Sequence, residues 1–522
     1  MTNFLDSLKS LKTNWKSDLI AGFLIFLLAL PLSLGIAKAS GFPASMGVLT
    51  AIIGGFTSLF FKVSPLTIKG PAAGLITICS GAIMEFGGGE IAIQICCTTI
   101  AIAAILQVLF ANLKFGRFSD FFPYAAVKGM LATIGIIIIA KQIPVLLNLN
   151  PLIYSKNSPI QLITNIPFFI QNMDITFASI GIISLLILII VPKISIFKNI
   201  PSPIFILVIF IPITIFNNYQ NTQPTYSLVE IGDFWNQINL SWNLSYIQYW
   251  SFWKYVLMFL FINSLESLLT VKAIDNISDS KTTSNYNADL KAVGFGNFFS
   301  SLIGGLPLIS EVVRSTSNLK FGAKTKWSNF FHGLFLLISI LFFITFIENI
   351  PNSALAAMLI FAGYNLCAPK NFMDILKIGK EQLIIYVFTI IITLLTDLLV
   401  GIFAGIAIKF IIHIINGANI KYLFKLKYEV IQNENNYVIK LYQNAIFANV
   451  VRFKEVLNKL NPDKNIIIDC ENTQIIDHSF LSFVYNYQKN DTYQRNIQFT
   501  GLNHHKSLSA HNLATKIKTQ KK

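Results

Sequence analysis

Stretches of about 20 apolar residues recur along most of the chain, and a run of that length has one common destination, a helix across the hydrocarbon of a bilayer. Such runs cover approximately 19–38, 43–61, 90–112, 122–145, 174–192, 200–217, 250–270, 327–347, 352–368, 381–396 and 397–416. Three shorter pieces, near 71–85, 286–303 and 307–318, are less regular. Together they predict an α-helical polytopic membrane protein with fourteen transmembrane segments, an even number that returns the chain to its starting side. Composition agrees: 54% of the 522 residues are hydrophobic and 12% are charged, too few charges to coat a soluble protein of this size.

The formal net charge of +15 raises nucleic acid as a partner, but the basic residues sit singly or in small groups between apolar runs, away from any soluble face with stacking aromatics. No nucleic acid is expected. On the fourteen-segment count, the connections on the side of the N-terminus carry Lys62 and Lys69, Lys114 and Arg117, Lys193 and Lys198, and Lys272 and Lys281. They continue with Lys320, Lys324 and Lys326, then Lys370, Lys377 and Lys380. The opposite connections hold Lys156 alone in 146–173 and no Lys or Arg in 218–249. Positive residues favour the cytoplasmic side, so both termini are expected there, in a cell inner (plasma) membrane. Residues 1–18 read as a cytoplasmic leader, because the apolar run after them is too long for a signal peptide.

Residues 19–418 form the expected transporter domain, and the texture changes after about 420. Val438–Tyr442, Asn465–Asp469 and Gln498–Thr500 read as strands, Val450–Leu460 and Ser479–Lys489 as helices, giving a small α/β domain over 425–515. The basic tail 516–522 is expected to be disordered. Cys79, Cys96, Cys97, Cys367 and Cys470 lack metal or disulfide spacing, and a buried thiol is a small hydrophobe.

Chemistry is expected where the helical pattern breaks, since bare backbone at membrane depth is tolerated only inside protein or beside a watery cavity. Lys69-Gly70-Pro71-Ala72-Ala73-Gly74 and Gly304-Gly305-Leu306-Pro307 both place Gly and Pro before a short segment, where Pro suits the first turn of a helix. Pro307 follows Pro71 by 236 residues, and an offset of about 235 carries the first run onto 254–273. Matched breaks of this kind predict an inverted repeat in which two half-helix N-termini meet near the midplane and attract an anion. The alternative is two kinks made for packing. Glu266 lies on an otherwise apolar helix with Thr270 four residues on, a pair suited to sodium or, through the carboxylate alone, to a proton. A salt bridge from Glu266 to Arg314 or Lys128 is the other reading. Arg314, seven residues after Pro307, is placed on the face of the helix start, where a guanidinium adds positive charge for an anion. Glu311 either pairs with Arg314 or is a second coupling carboxylate. Lys128 and Lys141 are expected to snorkel or pair.

These features resemble the SulP family of anion transporters, the family of sulfate permeases, cyanobacterial bicarbonate transporters and prestin. The likeness is carried by Asp18-Leu19-Ile20-Ala21-Gly22, by Ala29 to Ala37 (ALPLSLGIA), by Gly70-Pro71 and by Glu266-Ser267-Leu268-Leu269-Thr270. Asn287-Ala288-Asp289-Leu290, Gly294-Phe295-Gly296-Asn297 and the stretch from Gly304 to Asn318 continue it. The tail is similar to a STAS domain through Ile466-Ile467-Ile468-Asp469 and Ile476-Asp477-His478-Ser479. The resemblance implies a 7+7 inverted repeat split into core and gate bundles, elevator-type motion and a homodimer. It places a small inorganic anion of the sulfate or bicarbonate class between Ala72, Ala73, Gly74 and Ile309, Ser310, Glu311, Val312, Val313, with Pro31 and Ser33 contributed by the first helix. Arg314 stands at the family's binding-site arginine. Glu266 and Thr270 match the positions that hold sodium in bicarbonate transporters, although glutamate there also occurs in members coupled to protons. Glu311, Val312 and Val313 depart from the small or hydroxyl residues of many relatives, and a carboxylate beside the site repels a divalent anion unless it is neutral or paired. Ser479 lies near the position phosphorylated in soluble relatives and also suits a helix N-cap. His504, His505 and His511 suit a polar loop better than a metal.

A symporter of a small anion, without a cofactor beyond Na+ or H+, is thus the leading expectation. A dicarboxylate or nucleobase carrier on the same fold, and a non-transporting scaffold acting on a cytoplasmic partner through the STAS-like domain, are the rivals. An enzyme is not expected, since no nucleotide loop, metal cluster or nucleophile–base arrangement is present.

Overall fold

The computed structural model describes residues 2–61, 63–116, 121–151, 153–154, 157–197, 200–232, 234–238, 242–278, 284–434, 436–461, 463–489 and 495–519. Lys62, Arg117, Lys156, Lys198 and Lys281, counted above as loop charges, and the last three residues of the tail lie outside them.

Apolar runs become helices because, in lipid, a helix satisfies its backbone within itself. Among the described residues six helices are long and apolar enough to cross a membrane: Ser10–Ala39, Gly89–Asn112, Tyr124–Leu146, Ile175–Lys193, Trp250–Asp275 and Leu398–Ile415. Ala44–Phe60, Ala73–Glu85, Ser202–Phe216 and Trp327–Phe342 are shorter apolar helical segments. Small residues let neighbouring helices touch by backbone. A Cβ on Gly55 would lie 2.8 Å from the Asn329 carbonyl oxygen and 2.9 Å from the Gly333 Cα.

The three irregular segments resolve differently. Residues 286–303, expected to be irregular, form one unbroken helix, Tyr286–Leu302, whose start is capped by the Asn285 side chain accepting from the Ala288 N–H at 3.1 Å. The other two are not helices from their prolines onward. Pro71 ends a strand, β1 (Ile68–Pro71), and helix begins only at Ile76 after a 3₁₀ turn, Ala73–Leu75. Pro307 precedes a second strand, β2 (Leu308–Glu311), and helix begins at Val312. First-turn prolines were the wrong local assignment: extended backbone can pair across the two breaks, and β1 and β2 do so.

Contacts divide the chain into two units. One consists of residues 2–116, Ile134–Ser278 and Ser284–Leu366, and it contains both breaks. The other is Cys367–Lys522 together with residues 121–133. Its six strands are β3 (Lys427–Gln432), β4 (Asn436–Ala445), β5 (Asn465–Ile476), β6 (Ile497–Thr500), β7 (His505–Ser507) and β8 (Lys516–Lys518), in the order β3-β4-β5-β8-β7 with β6 also on β5. Strand β5 is long enough to pair β6 through Ile466–Asp469 and β8 through Ile475 and Ile476. Helices Val450–Leu457 and His478–Lys489 bury Phe453, Phe480 and Val484 against Ile439, Ile466 and Ile468. Burial pushes the Cys470 thiol up to about 12.

The tail is not free from residue 516, as composition suggested. Lys516–Lys518 is a strand, since the far half of β5 offers unpaired backbone and Ile517 packs near Phe447 and Ile475. Ser479 is not the N-cap of the second helix. Asp477 takes that place, accepting from the Phe480 N–H at 2.7 Å, while the Ser479 hydroxyl accepts from Lys409 Nζ at 2.9 Å. Lys409, fully buried on Leu398–Ile415, also meets Asp477 Oδ2 at 2.9 Å. Burial alone would raise the Asp477 carboxyl, but the Lys409 ammonium and the bond to His413 hold it well below the usual carboxylate range. His505 Nε2 bonds the Thr473 carbonyl at 2.8 Å and His511 Nδ1 accepts from the Leu513 N–H at 3.1 Å, loop-fastening contacts both. Among the described residues no three His, Cys, Asp or Glu gather to hold a metal.

Candidate anion site at two paired helix breaks

Each break exposes main-chain groups that helix would have satisfied, so the way those groups are paired defines the site. Strands β1 and β2 run antiparallel with Ile68 opposite Glu311, Lys69 opposite Ser310, Gly70 opposite Ile309 and Pro71 opposite Leu308. Groups that the ladder leaves over are met by side chains. Ser315 Oγ accepts from the Ile68 N–H at 2.9 Å and Asn329 Oδ1 from the Lys69 N–H at 3.3 Å. Asn297 Oδ1 accepts from the Leu308 N–H at 2.6 Å, Ser267 Oγ from the Ser310 N–H at 3.1 Å and Thr50 Oγ1 from the Leu306 N–H at 2.9 Å. Asn297 is itself held by Gln107, and Gln107 by Ser264, at 3.1 and 3.2 Å.

The second rung, Lys69 opposite Ser310, carries an ion pair. Lys69 Nζ lies 2.8 Å from Asp289 Oδ1, both side chains buried, and also donates to Thr67 Oγ1 and Ser310 Oγ at 3.2 and 3.1 Å. Ser310 Oγ donates to Asp289 Oδ2 at 2.9 Å. Counting Lys69 as a loop charge was therefore wrong. A lysine beside a broken segment and an aspartate on a largely apolar helix each need a partner at membrane depth, and that need was the available signal.

At the ends of the ladder the charges are not paired. Arg314 is 1% exposed, and its Nε, Nη1 and Nη2 have no hydrogen-bond partner. The guanidinium lies over Gly70, where a Cβ would come 2.6 Å from Nη1. Arg314 reaches this position from the first turn of the nine-residue helix Val312–Lys320. The expected two helical turns after Pro307 do not exist, because Leu308–Glu311 are extended. Glu266, 8% exposed on the helix Trp250–Ile277, lies against Gly74: a Cβ there would meet Oε2 at 2.6 Å and the carboxyl carbon at 2.7 Å. Its Oε1 is unpaired, so the salt bridge to Arg314 left open by the sequence is not made. Lys128 belongs to the other unit, its ammonium 5.8 Å from the centre of the Tyr124 ring. Thr270 is buried one turn beyond Glu266.

The two short helices start differently. Ile76–Glu85 and the 3₁₀ turn before it have no side-chain cap; the Leu75 and Ile76 N–H groups bond the Ala72 and Ala73 carbonyls within the turn. Val312–Lys320 is capped by Glu311, whose Oε2 accepts from the Arg314 N–H at 2.6 Å. The Glu311 carboxylate thus bonds the backbone of Arg314 and leaves the guanidinium nitrogens unpaired. Val312 and Val313 are exposed, and Ile309 and Ser310 are buried within the ladder. On the first helix, Pro31 and Ser33 are buried, Ser33 with an unpaired hydroxyl, and Ile25 and Ala29 of the same helix pack on Ile68. Lys141 donates to Ser80 Oγ at 2.7 Å.

Two paired helix breaks among apolar membrane helices, with a buried guanidinium and a buried carboxylate each lacking a partner, fit a multi-pass membrane carrier of charged solutes. The sequence matches the sulfate permease family over residues 15–389, and the chain belongs to that family. YvdB of Bacillus subtilis, a candidate sulfate transporter by name, is 26% identical over 411 residues, covering 77% of this chain and 74% of its own. The bicarbonate transporter BicA of Picosynechococcus is 24% identical over 413 residues, with 78% and 72% covered. The solved transmembrane domain of a cyanobacterial BicA superposes with a TM-score of 0.63 at 22% identity, over 74% of this chain and 97% of that one. The overall structure of SLC26A9 gives 0.66 at 15% identity, over 94% and 85%. The chain is a transporter, with a small strand-containing domain after its membrane helices.

Proposed function

We propose that the chain is a secondary active transporter of a small inorganic anion, of the sulfate or bicarbonate class named for its relatives. The carrying observation is Arg314: a fully buried guanidinium with three unpaired nitrogens, held over Gly70 at the pairing of the two breaks. A buried charge without a partner is strongly destabilising, so it persists where a ligand supplies the missing acceptors. Ala72, Ala73 and Gly74 offer the uncapped helix start on one side; Ile309, Ser310, Glu311, Val312 and Val313 form the other; Pro31 and Ser33 close the site from the first helix. Glu266 and Thr270 take the coupling ion, Na+ or H+.

Charge supports coupling. Glu266 is buried near Glu311 with no cation paired to it, so a proton or a sodium ion at Glu266 relieves the repulsion between the two carboxylates. The same reading assigns fourteen spans in a 7+7 inverted repeat of core and gate bundles, elevator-type alternating access, a homodimer, and an inner-membrane position with both termini cytoplasmic. The STAS-like domain is assigned a cytoplasmic partner. The test is uptake of labelled bicarbonate and sulfate into proteoliposomes under imposed Na+ or pH gradients. Uptake that follows one gradient and is lost in Arg314→Ala supports the reading; wild-type protein that moves no anion under either gradient removes it.

A further inference from the structure

We propose that Glu311 is a charge filter: its carboxylate, fixed at the start of Val312–Lys320, admits monovalent anions to the site and turns away divalent ones. The inference rests on the anion-transport reading and narrows its substrate class. A helix start with free N–H groups is a ready anion site, and the two breaks bring two such starts together. Only one lacks a side-chain cap. At the other, Glu311 Oε2 already accepts the Arg314 N–H at 2.6 Å, so a carboxylate of the chain itself occupies the place that a second charged oxygen of a ligand would take.

The other charges near the site do not cancel it. Lys69 is spent on Asp289, Arg314 has no carboxylate on its guanidinium nitrogens, and Glu266 adds negative charge from the Gly74 side. His332, buried on Trp327–Phe342, faces Arg314 with both ring nitrogens unpaired and adds no carboxylate. For groups about 7 Å apart at an effective dielectric near 20, the Glu311 carboxylate sets roughly fiftyfold against each negative charge on the ligand, which offsets the attraction that the same charge gains from Arg314. A monovalent oxyanion meets that repulsion once and a divalent one twice.

Glutamate is also a poor choice for a cap alone. Ser, Thr, Asp and Asn have shorter side chains that suit the N-cap better, and none of them stands here. Charge and capping separate in two variants. Glu311→Ser removes the charge and keeps a capping oxygen; Glu311→Gln removes the charge and keeps the shape. In proteoliposomes, wild-type protein is expected to take up bicarbonate with sulfate failing to compete, while both variants raise the sulfate-to-bicarbonate uptake ratio at least tenfold. An unchanged ratio in both variants, or sulfate competing equally in the wild type, overturns the filter while leaving anion transport in place. Failure of the wild type to move bicarbonate, nitrate or sulfate instead removes the transport reading on which the filter rests. Competition binding of sulfate against nitrate to the detergent-purified wild type supplies the same ratio if a variant does not fold.

Discussion

Lys69 with Asp289, and Arg314 with Glu266, are each a buried cation and a buried carboxylate set around the β1–β2 ladder, yet they end in opposite conditions. The first pair is closed, with every charged atom met by its partner, by Thr67, by Ser310 or by the Ser64 N–H. The second pair is open: each charge rests against a glycine and neither is answered by the protein. A closed pair holds structure, and on the proposed function an open one holds places for solutes. The contrast teaches that burial of a charge does not announce its role; the accounting of its hydrogen bonds does.

Breaking one partner on each side should separate the roles. Asp289→Asn leaves Lys69 buried and uncompensated, and should cost about 3–5 kcal/mol, read as a large fall in melting temperature and in folded yield. Arg314→Ala should instead lower anion uptake by about a hundredfold or more, through loss of two or more charge-assisted hydrogen bonds, while the melting temperature holds or rises. If Arg314→Ala unfolds the protein as badly as Asp289→Asn, the distinction between closed and open pairs fails. Glu266→Gln should abolish gradient-driven accumulation and retain insertion; wild-type accumulation in that variant would remove its coupling role. Gly74→Ala places a methyl group against the Glu266 carboxylate and should weaken coupled uptake by about tenfold, with a smaller effect on stability.

The Lys409–Asp477 pair extends the comparison to the second unit and carries the smallest effect. The Asp477 carboxyl is depressed in the fold, so its stabilisation is complete above the unfolded value near 4 and fades as pH falls below it. Unfolding of the strand-containing domain should be insensitive to this group between pH 8 and 5 and should ease only below about pH 4. A midpoint falling already at pH 6 would show that Asp477 is not held ionised by Lys409.

Helix positions were legible because each apolar run had a single sensible solvent, and the matched offset of Pro71 and Pro307 was enough to bring the breaks together. The extended form of the breaks was not legible. Gly-Pro suits a helix start and a strand end alike, and only the distant partner decides between them. For the same reason Lys69 passed for a loop charge: its counter-ion lies 220 positions away, on a helix whose face cannot be read until the ladder is known. Arg314 and Glu266 were found because charge on an apolar background is conspicuous, but that neither answers the other required coordinates. The β8 strand was missed because three residues of alternating Lys and Ile carry no signal apart from the edge of β5 that receives them.

The four rungs between β1 and β2 have a mechanical corollary. Sliding one short helix past the other would strip buried main-chain bonds at about 1–3 kcal/mol apiece, with no water at hand to replace them. The two breaks therefore behave as a riveted joint. Any shift of the surrounding helices that keeps these bonds carries the two short helices together, so that Arg314, borne by one of them, keeps its place over Gly70 beside the other.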